Sequence, residues 1–267
     1  MPIRLLHLSD IHFGHEDKAA VEAAAAFAAT TKWDLMVITG DITQWGAHEE
    51  FAAASAWLAS IPGPRLATPG NHDTPWMGLF ERATRPFVRY ARTIGAPEGA
   101  HLETPEMAVH ATNSARGWQV RLDWSKGEVS RRQALAVSRR FQTAPSQAVR
   151  VLACHHPLRE AEGEPITARV RGGRFAAERF TEAGVDIILS GHLHMAFVEP
   201  LRFGDERTYA VGAGTLSMRL RHEPPGFNVI DIDGDRLRVT DMAWDSGALS
   251  ARRVWNVTLR PRGSSQG

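Results

Sequence analysis

The sequence predicts an α/β fold with a largely parallel sheet, on two observations. In the first third of the chain, short apolar runs alternate with stretches of helical period. Each apolar run stops at a group of polar residues, and an open parallel sheet builds its site at the carboxyl ends of its strands.

The elements follow in order. IRLLHLSD (3–10) is a short apolar run closed by Ser and Asp, a strand feeding a loop. The alanine-rich DKAAVEAAAAFAAT (17–30) favours helix. DLMVITGD (34–41) is apolar without alternation, as in a strand buried on both faces. HEEFAAASAWLAS (48–60) is a second amphipathic helix, and RLATPGNHD (65–73) a short strand ending in a Pro-Gly turn. Segment 74–105, with prolines at 75, 86, 97 and 105, predicts irregular helix and loop over the site, a partial cap. MAVHATNS (107–114) reads as a strand and SRRQALAVSRRFQTA (130–144) as a helix with a basic exposed face. VRVLACHHP (149–157) is a strand that stops at two histidines and a proline. GRFAAERFTEAG (173–184) is a helix with a glycine stop, and VDIILSGHLH (185–194) a strand and its loop. From 197 to 243 the pattern is β throughout. The polar tail RPRGSSQG (260–267) is expected to be disordered. Trp33, Trp57 and Trp118 read as core residues.

Composition narrows the function. A formal net charge of +1 gives no bulk attraction to nucleic acid or to an anionic membrane surface. The single cysteine, Cys154, rules out an internal disulfide and fits a reducing compartment. His7 and Asp10 interrupt the first apolar run, which is short for a signal peptide, and no stretch approaches the roughly 20 apolar residues that span a bilayer. A cytoplasmic protein is the expectation.

The twelve histidines are more informative. The polar residues at the strand ends are Asp10 and His12, Asp41, Asn71 and His72, His155 and His156, and His192 and His194. Parallel strands bring such ends together. In GHLH (191–194) the two imidazoles of an extended segment point to one side. Asp, Asn and His without cysteine form a mixed oxygen and nitrogen donor set suited to Mn, Fe, Zn or Co. There are more donors than one ion needs, and a bridging carboxylate lets such a set hold two ions about 3.5–4 Å apart. Any one of Asp10, Asp41 or Asn71 alone reads more readily as a helix cap or turn residue, a reading that the full set with its histidines overturns.

SDIH (9–12), GD (40–41), GNHD (70–73), CHHP (154–157) and GHLH (191–194) stand in the order of the five signature blocks of calcineurin-like metallophosphoesterases, which the chain resembles over residues 3–243. Through HLSDIHFG, CHHPL and LSGHLH it is most similar to bacterial class III cyclic nucleotide phosphodiesterases and glycerophosphodiesterases. The resemblance implies a two-sheet sandwich flanked by helices, as one domain over 1–245 with an extension at 246–267. It implies that Asp10, His12 and His194 hold one divalent or mixed-valence ion, that Asn71, His155 and His192 hold a second, and that Asp41 bridges them. His72 would be no ligand but would face the substrate phosphate. His156 competes with His155 for the ligand role. Gly40, Gly70 and Gly191 would let the backbone turn sharply and approach the ions.

The implied activity is hydrolysis of a small phosphoester, first of all a phosphodiester, by water activated on the ions. Two other readings stand beside it. A DNA repair nuclease is disfavoured by the near-neutral charge and the lack of a dense basic stripe. A scaffold without metals would show broken blocks, and none is broken. In RVRGGR (169–174), Arg169, Arg171 and Arg174 are candidates to clamp a second phosphate or a carboxylate, or else form a solvated loop. Asn113 is a further candidate to reach the site. A small phosphoester is the expected partner, with no stable nucleic-acid partner and no membrane; a homo-oligomer is left open.

Overall fold

The computed structural model describes residues 2–119, 123, 125–158, 170–202 and 206–261. Arg169, most of the 157–173 loop and the end of the polar tail lie outside the described residues. In chain order the elements are β1 (Ile3–Leu8), α1 (Lys18–Thr30), β2 (Leu35–Thr39), α2 (His48–Ser60), β3 (Arg65–Thr68), α3 (Leu79–Thr84), α4 (Val88–Thr93), β4 (His101–Glu103) and β5 (Met107–Ala111). They continue with α5 (Arg131–Thr143), β6 (Val149–Ala153), α6 (Gly173–Glu182), β7 (Ile187–Ser190), β8 (Phe197–Pro200), β9 (Tyr209–Gly212), β10 (Gly226–Asp233), β11 (Arg236–Asp245) and β12 (Ala248–Thr258).

The strands form two six-stranded sheets among the described residues, in the orders β12-β11-β10-β1-β2-β3 and β4-β5-β6-β7-β9-β8. β1, β2 and β3 run parallel, with Leu5 opposite Leu35 and Val37 opposite Leu66, and β10 joins β1 antiparallel. In the second sheet β5, β6, β7 and β9 run parallel, and antiparallel β4 and β8 form its edges.

Side-chain alternation turns each apolar run into two contacts. Leu5 and Val37 face the other sheet, where they meet Val109, Val151, Leu189 and Val211 in one buried cluster. Leu6, Leu8, Met36 and Ile38 face outward and are covered by Ala20, Val21 and Ala24 of α1 and by Phe51, Ala54 and Leu58 of α2. Leu152 and Ile188 are covered in the same way by Val137 and Phe141 of α5 and Phe180 of α6. The result is a helix–sheet–sheet–helix arrangement. It explains why β2 and β7 read as unbroken apolar runs: both faces are buried.

Helix starts are set locally. Asp17 accepts the Ala20 amide at the head of α1, and Ser130 and Gln133 cap each other at the head of α5. Segment 74–105 folds as α3, α4 and β4. Tyr90 of α4 is fully buried against Phe51, and Trp76 donates its amide to the Trp45 carbonyl beside it.

Two details depart from the sequence expectation. The chain beyond 245 turns at once into β12, which pairs with β11 along its length and delivers Trp255, Val257 and the fully buried Leu259 to the inter-sheet core. The boundary drawn at 245 therefore falls in a hairpin turn. Trp118, expected in the core, is 57% exposed, whereas Trp33 and Trp57 pack against the α1–α2 layer as expected.

Candidate metal centre

The carboxyl ends of β1, β2, β3, β6 and β7 converge. Beyond β1 and β2 the backbones stay paired, with Asp10 N donating to the Gly40 carbonyl and His12 N to the Asp41 carbonyl, each at 3.0 Å. In the second sheet the backbones beyond β6 and β7 likewise stay paired, with Gly191 N donating to the His155 carbonyl. Two glycines make this closeness possible. Gly40 has φ +86, and a Cβ on it would lie 2.6 Å from Gly70 N. Gly191 has an ordinary φ; its requirement is space, because a Cβ there would lie 1.7 Å from Ser9 Oγ and 2.3 Å from Asp10 Oδ2.

Five residues of the cluster are themselves left-handed: Asp10 (φ 52), His12 (52), Asp41 (49), His192 (68) and His194 (56). Non-glycine residues seldom adopt this conformation, and such positions concentrate at functional sites. Here the strain lies at the strand ends and turns each side chain into the space between them.

The side chains meet at short range. Asp10, His12 and His194 offer donor atoms within 4.8 Å of one another, as do Asp10, Asp41 and His155, and likewise His155, His156 and His192. Asp10 Oδ1 is 3.1 Å from His194 Nε2 and 3.8 Å from His12 Nε2. Asp41 Oδ2 stands between His155 Nε2 at 3.2 Å and His12 Nε2 at 3.9 Å. Asp41 Oδ1 accepts the His72 amide at 2.7 Å.

Ring orientation is fixed from behind. His155 Nδ1 donates to the Thr39 carbonyl, His194 Nδ1 to the Arg219 carbonyl and His72 Nδ1 to the Gln44 carbonyl, each at 2.7 Å. A carbonyl only accepts, so each neutral ring carries its proton on Nδ1 and keeps the Nε2 lone pair for the centre. Asp10 Oδ1, Asn71 Oδ1 and His155 Nε2 are buried without a hydrogen-bond partner. Buried acceptors left unmatched cost about 1–3 kcal/mol each. A cation would satisfy them, so the donor set fits divalent ions.

The electrostatics agree. Burial alone would push the Asp10 and Asp41 carboxyls up, but His194 beside Asp10 and His155 beside Asp41 hold both well below the usual carboxylate range. Burial lowers the His12 imidazole to about 3 and, with His155 nearby, His192 to about 4. For His155 burial is outweighed by Asp41, which raises it to about 9; Asp10 likewise raises His194 against its burial. The two histidines that are raised, His155 and His194, are thus the two that stand nearest Asp41 and Asp10.

His156 is deeply buried next to His155, but both its ring nitrogens are engaged away from the acids. Nδ1 meets Ser114 Oγ at 2.8 Å and Nε2 donates to the Ser125 carbonyl at 2.7 Å. Among the described residues, the other sequence candidates do not join the cluster. Asn113 Oδ1 accepts the Ala115 amide in a local turn. Arg171 is exposed and uses its backbone to pair with Gly127 and Val129. Arg174 is exposed and ion-paired with Glu178 one helical turn on.

The structure adds residues that the sequence did not single out. Asp73, quoted in the GNHD block without a role, accepts the Ile42, Thr43 and Gly70 amides and the Thr43 hydroxyl, so it ties the second block to the third. Ser9 donates to Asp10 Oδ2 at 2.6 Å. Arg219, on the β9–β10 connection, holds His194 through its carbonyl and reaches His72 Nε2 with its guanidinium at 2.7 Å. Its one sequence signal is position: it follows a strand end, as the five blocks do.

The family model of calcineurin-like phosphoesterases matches residues 3–196. A protein of Synechococcus sp., named as a probable cyclic nucleotide phosphodiesterase, is 22% identical over 267 residues, covering 91% of this chain and 93% of that protein. Among solved structures, purple acid phosphatase from yellow lupin (Lupinus luteus) seeds matches with a TM-score of 0.68 at 13% identity, covering 97% of this chain and 54% of that one. The chain therefore spans about half the length of the lupin enzyme. GAP50, the anchor in the inner membrane complex of Plasmodium, matches with a TM-score of 0.61 at 12% identity, covering 99% of this chain and 90% of that one. At these identities the two structures share the fold. No helix among the described residues is long and apolar enough to cross a membrane.

Proposed function

The chain belongs to the calcineurin-like phosphoesterase family, and from that premise we propose that it hydrolyses a small phosphodiester, a cyclic nucleotide or a glycerophosphodiester, at a dinuclear metal centre. One observation carries the reading: buried carboxylate and imidazole donors stand within 4.8 Å of one another in overlapping groups, with ring orientations fixed from behind and several buried atoms, Asn71 Oδ1 among them, unmatched. The preference for a diester rests on the Synechococcus relative at 22% identity.

Asp10, His12 and His194 would hold one ion, Asn71, His155 and His192 the other, and Asp41 would serve both. The position of Asp41 Oδ2 between His12 and His155 supports the bridge. His155 is preferred over His156 because its Nε2 is unmatched and faces Asp41, whereas His156 is engaged at both nitrogens. When bound, the two ions supply Lewis acidity and an activated water.

The chain's own residues do the rest. Asp41 fixes His72 through its amide, and the Gln44 carbonyl fixes the His72 ring, so that Nε2 is the atom turned toward the ester. In its imidazolium form, with a second proton on Nε2, His72 donates to a phosphoryl oxygen and hands that proton to the leaving oxygen, returning to the neutral ring. Burial of the acids and histidines keeps water out of the ligand cage and strengthens each electrostatic contact.

The test is kcat/KM of the Mn-loaded protein on bis-p-nitrophenyl phosphate against p-nitrophenyl phosphate at the same pH. A ratio above one supports the diesterase; a ratio well below one overturns the diester preference, and no turnover of either overturns the hydrolase.

A further inference from the structure

Arg219 is the side chain near the centre that the proposed chemistry leaves unused. It lies on the loop between β9 and β10, and that loop is anchored at several points. Thr215 Oγ1 donates to the Asp10 carbonyl at 2.6 Å and meets Ser217 Oγ at 2.7 Å, and Ser217 Oγ accepts the Arg219 amide at 3.2 Å. Further along, Glu223 is gripped by Arg252 and Arg253 of β12. The loop thus holds Arg219 in a set place, with its carbonyl on His194 Nδ1 and its guanidinium Nη1 2.7 Å from His72 Nε2.

The His72 partners fix the roles of its two nitrogens. Nδ1 donates to the Gln44 carbonyl, so Nε2 is the acceptor, and the guanidinium, which has only donors, donates to it. A neutral imidazole is a modest partner for a guanidinium. A phosphoryl group is better, because both partners are then ionised and the planar fork can engage two oxygens at once. Arg219 is half-buried on a flexible stem, so a small swing moves its donors from His72 to a group in front of it.

We propose that Arg219 is an anion-binding residue of this site: its guanidinium takes the non-bridging oxygens of the substrate phosphoryl group and, in doing so, leaves His72 Nε2 facing the ester. The proposal rests on the reading above for the position of the ester. It moves the arginine of the site from the 169–174 stretch to the β9–β10 loop.

The experiment compares wild type, Arg219→Ala and Arg219→Lys, each loaded with Mn. Inorganic phosphate binding is measured by calorimetry, alongside KM and kcat for bis-p-nitrophenyl phosphate and Mn content. Loss of one charge-assisted contact should weaken phosphate binding and raise KM by about 10- to 100-fold in Arg219→Ala, with partial recovery in Arg219→Lys. Mn content should stay at the wild-type value, because His194 leans on the backbone carbonyl and not on the side chain. Equal phosphate binding by wild type and Arg219→Ala overturns the proposal, as does the absence of phosphate binding by wild type. A fall in Mn content in Arg219→Ala also overturns it, since Arg219 is then a support for the centre. Phosphate binding needs no turnover, so an inert wild type sinks the hydrolase reading while calorimetry still decides the role of Arg219.

Discussion

Gly191→Ala should dislodge Asp10. The added Cβ lies 1.7 Å from Ser9 Oγ, 2.8 Å from Ser9 Cβ and 2.3 Å from Asp10 Oδ2, where ordinary contact begins at 3.4 Å. Rotating the Ser9 hydroxyl away removes its hydrogen bonds to Asp10 Oδ2 and to the Thr39 carbonyl, and Ser9 Cβ still clashes. The Asp10 carboxylate must retreat by about 1 Å, which also breaks its bond from the His192 amide. Three buried hydrogen bonds at about 1 kcal/mol each and overpacking at about 1–3 kcal/mol make the destabilisation about 4–6 kcal/mol. That corresponds to a melting temperature lower by about 10–20 °C for a chain of this size. Disturbing the support of a ligand costs about 10- to 100-fold in metal affinity, and Mn titration followed by metal analysis should show that loss. Adding Ser9→Gly removes two of the three clashes and should restore part of the melting temperature. A Gly191→Ala protein with wild-type melting temperature and wild-type Mn affinity would refute the reasoning.

Asp41→Ala should weaken both ions together, read as Mn per chain, because Asp41 Oδ2 faces both His12 and His155. His72→Ala should keep its metal and lose about 10²–10⁴-fold in kcat, with a smaller loss when the leaving group is nitrophenolate and needs no proton. A collapse of metal content instead would make His72 a ligand. For the chelated protein, His155 is raised from 6.5 to about 9 in the fold, so its contribution to stability is complete below about 6.5 and is lost as pH rises through about 9. The melting temperature of chelated wild type should therefore fall over that window more than that of chelated His155→Gln, and Mn affinity should rise as the proton leaves. Asp241→Ala should lower the melting temperature, because the buried Asp241 carboxylate and Glu223 together neutralise Arg252 and Arg253.

The strands that carry the centre were legible because burial on both faces leaves an unbroken apolar run, and the polar residues that end each run stand out against it. β2 and the LSGHLH segment are the clearest cases. The division into two sheets was not legible from periodicity, since β2 and β6 have the same local pattern; it came through the family resemblance. β12 escaped because it is an edge strand in which polar residues break up the apolar ones and no residue is fully buried. The choice between His155 and His156 depends on what lies behind each ring, and Thr39 and Ser125 are far away in sequence. Arg219 belongs to no block, and only the course of the β9–β10 loop brings it to His72.

The central claim is that this donor set holds two ions and that hydrolysis depends on both. Equilibrium Mn binding to chelator-stripped protein, with turnover of bis-p-nitrophenyl phosphate followed along the same titration, tests it most directly. The account predicts two Mn ions per chain and activity that rises with occupancy of the second. Full activity with one ion per chain, or with none, would contradict it.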